Sequence, residues 1–199
     1  NDLQKICALA AMLNLPVAVH AENEARLKEQ QKLFPEPVVA DHSRLRDTSA
    51  AAAAVDQIIA IAKTTGCRVY ILHVSTKAEL ELIRAAKRAG LTVYAEATPH
   101  HLFLNTNSYE ALGTLAQMNP PLRGPADQAA LWAGLLDGTI DCLGTDHAPH
   151  TLAEKAIAYP GSPSGVPGVE TMLPLLLNAH HEGKISLERI VELTSTNQR

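Results

Sequence analysis

The sequence predicts an α/β fold in which parallel strands are covered by helices, and three observations carry that expectation. Short β-branched runs alternate with longer Ala- and Leu-rich stretches of helical period. Four such cycles follow one another along the 199 residues. The strand-like runs are nearly continuous in apolar residues, as parallel strands buried on both faces are.

The elements follow in order. An apolar helical pattern over residues 3–13 leads into a strand over 16–20, and a polar, proline-containing connection then reaches about Asp47. The Ala-rich stretch 49–63 has helix propensity and an apolar face, and Gly66 suits the residue just beyond a helix end. A strand over 68–73, a helix over 77–89 stopping at Gly90, and a strand over 91–96 repeat the cycle. After a loop rich in Asn and Pro, a helix over 127–136 stops near Gly138 and a fourth strand covers 140–145. Four β-α units make either half of an eight-stranded barrel or a small open sheet. No G-x-G-x-x-G or G-x-x-x-x-G-K-[ST] loop follows any strand, which weakens the nucleotide-binding versions of the open sheet.

Composition narrows the partners. With 46% hydrophobic and 19% charged residues the chain reads as one globular domain, 1–199. Its 17 basic and 21 acidic residues give a net charge of -4, and no stretch gathers Lys or Arg into the stripe that nucleic acid or an anionic membrane would need. A small-molecule partner is favoured. Cys7, Cys67 and Cys142 lie far apart without a C-x-x-C pair, as thiols of a reducing compartment do, so a cytoplasmic location is expected. No apolar run approaches the length of a membrane span. The chain opens at Asn1 directly into a helical pattern and closes at Arg199 just after another, which suggests a piece of a longer protein.

The polar residues at the strand ends carry the chemistry. His20, His73 and Asp146 each fall at the carboxyl end of an expected strand. In a β/α barrel those ends form one face, where side chains from different strands converge. Two imidazoles and a carboxylate are suitable zinc donors. Asp146 lies in Gly-Thr-Asp-His-Ala-Pro-His (144–150), the most specific stretch of the chain, and suits both metal binding and proton transfer. His150, four residues on, is placed to face a substrate.

Read together, Val-His-Ala-Glu (19–22), His-Val-Ser-Thr (73–76), Glu-Ala-Thr-Pro-His-His-Leu (96–102), Met-Asn-Pro-Pro-Leu-Arg (118–123), the 144–150 stretch and Ser-Gly-Val-Pro-Gly-Val-Glu (164–170) resemble the bacterial type I dihydroorotases of the amidohydrolase superfamily. Hydantoinases and allantoinases are similar too, but Asp-His-Ala-Pro-His looks more like dihydroorotase. The resemblance implies an incomplete TIM-like (β/α)8 barrel covering strands 5 to 8. It also implies two Zn2+ ions per complete site, with His20 and His73 on the more buried one and Asp146 on the other as proton shuttle. Asn119 and His150 would hold the dihydroorotate ring and its carboxylate, and Ser164 and Gly165 would touch it through their backbone. A zinc-activated water would attack the ring amide carbonyl, Asp146 would pass the proton to the departing nitrogen, and the reverse reaction would close carbamoyl aspartate for pyrimidine biosynthesis.

The chain also departs from that pattern. It contains no His-x-His, and neither the arginine that follows that pair nor the bridging acidic ligand has a match. Isolated activity is therefore not expected, and the alternatives are a non-catalytic dihydroorotase-like scaffold or a hydantoinase-type enzyme. A four-stranded piece would leave open sheet edges and an apolar inward face, so the expected partners are a complementary barrel half, a second copy, or a transcarbamoylase such as aspartate transcarbamoylase. Several residues stay open between chemistry and packing: Glu22 and Asn23 beside His20, Arg123 as a substrate contact or a loop ion pair, and His100 or His101 as support for a ligand. His147 reads as structural, and His180 and His181 as a solvated helix end.

Overall fold

A computed structural model describes residues 2–198; Asn1 and Arg199, on which the reading of the chain's ends rests, lie outside the described residues. The chain forms four parallel strands in the order β1-β2-β3-β4: β1 (Pro16–Val19), β2 (Arg68–Ile71), β3 (Val93–Ala97) and β4 (Cys142–Leu143). Strand order follows chain order, and each crossover carries helix, as four successive units of a β/α barrel do. The α/β class and all four expected strands are therefore present, with β4 reduced to two residues by strict pairing.

The helices form where the sequence supplies their ends. In α4 (Thr48–Thr65) the Asp47 carboxylate accepts from Ala50 N at 2.9 Å, and Gly66 closes the helix in the left-handed conformation. α5 (Lys77–Arg88) starts with Thr76 and Glu79 capping each other. α8 (Pro125–Asp137) has proline in its first turn and ends at Gly138, again left-handed. α1 (Asp2–Met12) and α11 (Leu187–Thr194) lie where the apolar periodicity puts them. The connection after β1 holds more structure than its polarity suggests: α2 (Glu24–Gln31), capped by the Asn23 side chain, and α3 (His42–Leu45). Two further short helices, α6 (Pro99–Phe103) and α7 (Ser108–Leu112), lie between β3 and α8, while α9 (Leu152–Lys155) and α10 (Met172–His181) follow β4.

One face of the sheet is the core. Val69, Ile71, Val93, Ala95 and Ala97 are buried against Ile58, Ile61, Leu80, Ile83, Leu131 and Leu135 of α4, α5 and α8. α5 and α8 touch closely at Gly134, where an added Cβ would stand 3.2 Å from Leu80 Cδ2. The other face departs from the expected apolar surface. Arg68, Tyr70, Tyr94 and Glu96 line an open cleft of about 580 Å³, with Tyr70 Oη donating to the Glu96 carboxylate. Alternation along β2 and β3 sends every second side chain to that face, and those residues are polar or aromatic. Among the described residues no helix is long and apolar enough to cross a membrane.

Candidate metal centre

β1 and β2 pair with Val19 opposite Ile71, so the residues just beyond both strands emerge on one rim. There His20 Nδ1 and His73 Nε2 lie 2.9 Å apart with their rings edge to face at 75°. Backbone strain marks the same places. Three described non-glycine residues have positive φ: Asn14 in a turn after α1, His73 at 37° and Asp146 at 44°. Asparagine tolerates that region; histidine and a strand-end aspartate occupy it where surrounding structure imposes it, as happens at functional sites.

Glu22 sets the imidazole of His20. Its carboxylate accepts from His20 Nε2 at 3.0 Å and from Arg46 Nε at 3.1 Å and Nη2 at 2.5 Å, and its side chain is 1% exposed. Burial alone pushes this carboxyl up; the hydrogen bonds from His20 and Arg46, with Arg46's charge, overcome it and bring the pKa down to about 2. With its Nε2–H donated to Glu22, His20 in its neutral tautomer accepts at Nδ1 from Nε2–H of His73. Burial, then the nearby His20, lower the His73 pKa to about 4 against the opposing charge of Asp146, so His73 is neutral at pH 7. Its Nδ1 is buried without a partner.

Once the hydrogen between them is released, these two ring nitrogens suit a shared divalent ion. On one zinc, two nitrogens at about 2.0–2.1 Å in tetrahedral geometry stand about 3.3 Å apart, so the observed pair need part by only a few tenths of an ångström. Asp146 stands beyond β4, separated from the strand of His73 by β3, and among the described residues no three His, Cys, Asp or Glu side chains close on one point.

The four residues expected on the substrate side gather in one patch. Gly165 N donates to Gln117 O at 2.9 Å, beside Met118 and Asn119. Gln117 Nε2 reaches Ser162 O and Ser164 Oγ at 2.8 and 3.2 Å, and His150 Nε2 lies 3.3 Å from Ser164 O. Lys155, buried, binds these loops by donating to Gln117 O, Pro163 O and Gly165 O, each at 3.0 Å. Gly165 has φ 141°, and an added Cβ would lie 2.5 Å from Ala148 O. Gly165→Ala is therefore expected to lower unfolding stability by about 1–3 kcal/mol, measured by urea denaturation.

A short segment joins the metal pair to that patch. His42 Nε2 lies 3.0 Å from both Met118 O and Asn119 Oδ1, while Arg46, one helical turn on, holds Glu22. Arg123 is buried, donating from Nε to Ser75 Oγ at 3.1 Å and from Nη1 to Arg46 O, so it ties these loops together. His101 is fixed by Thr98 Oγ1 at 2.7 Å and Pro120 O at 3.1 Å, which is packing. His100 is buried beside His101 with Nε2 unpartnered. His147 Nδ1 accepts from Gly168 N at 3.1 Å, and His180 Nδ1 faces Ile185 O at 2.8 Å, a part-buried contact in place of the expected solvated helix end. His42, Arg46, Lys155 and Tyr159 were missed by sequence reasoning, and no local motif marks them.

The four-stranded sheet with paired imidazoles at its carboxyl rim matches part of the solved structures of dihydropyrimidinases and hydantoinases. The chain superposes on the crystal structure of dihydropyrimidinase from Brevibacillus agri NCHU1002 with a TM-score of 0.92 and 29% identity, covering 98% of this chain and 44% of that one. L-hydantoinase from Arthrobacter aurescens gives 0.90 and 32%, covering 96% and 44%. In sequence the chain is a homologue of dihydroorotases. It is 45% identical to that of Halobacterium salinarum over 192 residues, which is 96% of this chain and 44% of the relative. The dihydroorotases of Thermus aquaticus and Methanosarcina mazei are 42% and 39% identical, covering 96% and 99% of this chain. The chain thus spans about half the length of the curated relatives it matches. No family model matches it.

Proposed function

We propose that this chain supplies part of the active centre of a zinc-dependent dihydroorotase, the enzyme that interconverts dihydroorotate and carbamoyl aspartate in pyrimidine biosynthesis. One observation carries the reading: His20 and His73, at adjacent strand ends of a dihydroorotase-like sequence, bring Nδ1 and Nε2 within 2.9 Å of each other. A zinc ion held there would polarise the ring amide carbonyl and activate water. Asp146 would hold the proton of the attacking water and would hand it to the ring nitrogen as the amide C–N bond breaks. Asn119 and His150, with the backbone of Ser164 and Gly165, hold the ring and its carboxylate.

The remaining donors of a two-zinc centre come from residues this sequence does not contain, since it has no His-x-His. A complementary polypeptide closes the barrel, and a second copy or aspartate transcarbamoylase is a further partner. The three free cysteines accord with a cytoplasmic setting.

Calorimetric titration with zinc at pH 7 tests the metal pair. One ion is expected per chain, with binding lost in His73→Ala. Glu22→Gln is expected to weaken binding about 10–100-fold, because the carboxylate fixes the donor tautomer of His20. Absence of binding would favour a scaffold without catalysis. Turnover of dihydroorotate by this chain alone would refute the need for further donors. The similarity to hydantoinases supports a hydantoinase as the second enzyme reading, and His150→Ala in a complete form separates the two: it should damage turnover of dihydroorotate, which has a ring carboxylate, more than that of hydantoin.

A further inference from the structure

The cluster His42, Tyr159 and Asn119 lies apart from the metal pair and has a hydrogen-bond logic with a single solution. His42 Nε2 lies 3.0 Å from Met118 O and 3.0 Å from Asn119 Oδ1, and Nδ1 lies 3.0 Å from Tyr159 Oη. A backbone carbonyl only accepts, so Nε2 carries the hydrogen. The atom of Asn119 that faces the same N–H must also accept, which makes it the amide oxygen irrespective of how the amide was oriented. Burial lowers the His42 pKa to about 4, the neighbouring Arg46 adding to this against the bonds to Met118 and Asn119, so the ring is neutral at pH 7. A neutral ring protonated at Nε2 is bare at Nδ1, and Tyr159 therefore donates its O–H there.

We infer that His42, oriented by Tyr159, is a positioning residue that holds the amide oxygen of Asn119 inward and turns its NH2 outward, so that this subsite takes a hydrogen-bond acceptor, a carbonyl or carboxylate oxygen. The identity of the acceptor-bearing ligand rests on the dihydroorotase reading; the orientation of Asn119 does not. Tyr159 reaches His42 from the segment after α9, and His42 itself sits at the start of α3, so the arrangement ties three distant parts of the chain to one amide. An apolar residue at position 42 would leave the Asn119 amide free to rotate between donor and acceptor presentation.

Nitrogen-15 NMR of the labelled chain tests this. At pH 7 the His42 ring is expected to show a protonated Nε2 and a bare Nδ1, and dihydroorotate, as the probe, is expected to shift the Asn119 side-chain NH2 signals. Tyr159→Phe and His42→Phe should both displace those signals in the free protein, and His42→Gln, whose amide N–H can still donate to Asn119, should restore them relative to His42→Phe. Should His42→Phe fail to fold, Tyr159→Phe carries the test alone. A ring protonated at Nδ1, an imidazolium at pH 7, or Asn119 signals unmoved in the variants that fold would overturn the inference. The inferred tautomer and variant shifts without any response to dihydroorotate would support the positioning role and count against the dihydroorotase reading.

Discussion

Lowering the pH from 7 to 5 is expected to remove several kcal/mol of stability from this chain, most of the margin of an ordinary domain. Four buried histidines, His42, His73, His100 and His101, drive it, each with its pKa lowered first by burial. The charge of Arg46 adds to the shift at His42 and that of His73 at His100. The unfolded chain takes up a proton at each as pH falls through 6.5, whereas the folded chain resists until about 4 at His42, His73 and His100 and until well below 6.5 at His101. Their contribution is thus fully present above the unfolded value and is lost as pH falls between the two. Each group accounts for about 1.4 kcal/mol per pH unit in that window. Glu79 and Glu96, whose carboxyls burial pushes up, act in the opposite direction and reduce the net slope. Urea denaturation at pH 7, 6 and 5 reads the effect, and His100→Leu should cut the histidine part of the slope by about a quarter, since it removes one of four such groups. A flat profile between pH 7 and 5 would show that these rings are not held neutral.

Glu79→Ala is expected to cost about 3–5 kcal/mol. The side chain is among the largest fully buried ones, and its Oε2 accepts from Thr76 N at 2.8 Å, Ser75 N at 3.0 Å and Ser75 Oγ at 3.3 Å. Burial pushes its carboxyl up, while the positive charge of the buried Arg123 and the Ser75 and Thr76 bonds pull it back. Truncation would strand two backbone N–H groups and leave Arg123 without one of its opposing charges. Those N–H groups belong to the turn that follows His73, so zinc affinity should fall along with stability. Glu81→Ala provides the control: Glu81 lies on the exposed side of α5, paired with Lys77 at 3.8 Å, and its removal should change stability by less than about 0.5 kcal/mol. A Glu79→Ala variant within about 1 kcal/mol of the parent chain would mean that water reaches this turn and replaces the lost acceptor.

The sequence by itself determined the repeating architecture. Gly66, Gly138 and the apolar runs at 68–73 and 91–96 place strands and helix ends because those signals are local: a left-handed stop or a buried strand is specified within a few residues. His20, His73 and Asp146 were legible as strand-end residues for the same reason, and the order of the motifs pointed to dihydroorotase, the name its curated relatives carry. What only the tertiary structure decided is which polar side chains meet. Glu22 is an enclosed partner of His20 because Arg46, 24 residues away, covers it, and Arg123 is a loop tie because Ser75 and the Arg46 carbonyl reach it first. His42 acquires its role from Tyr159, 117 residues downstream, and from Asn119. The polar lining of the cleft beside β2 and β3 likewise follows from which face the helices cover. Hydrogen bonds of this kind act over about 3 Å in space without regard to separation along the chain, so no local pattern records them, and packing of α3 and the late loops against the rim selects them.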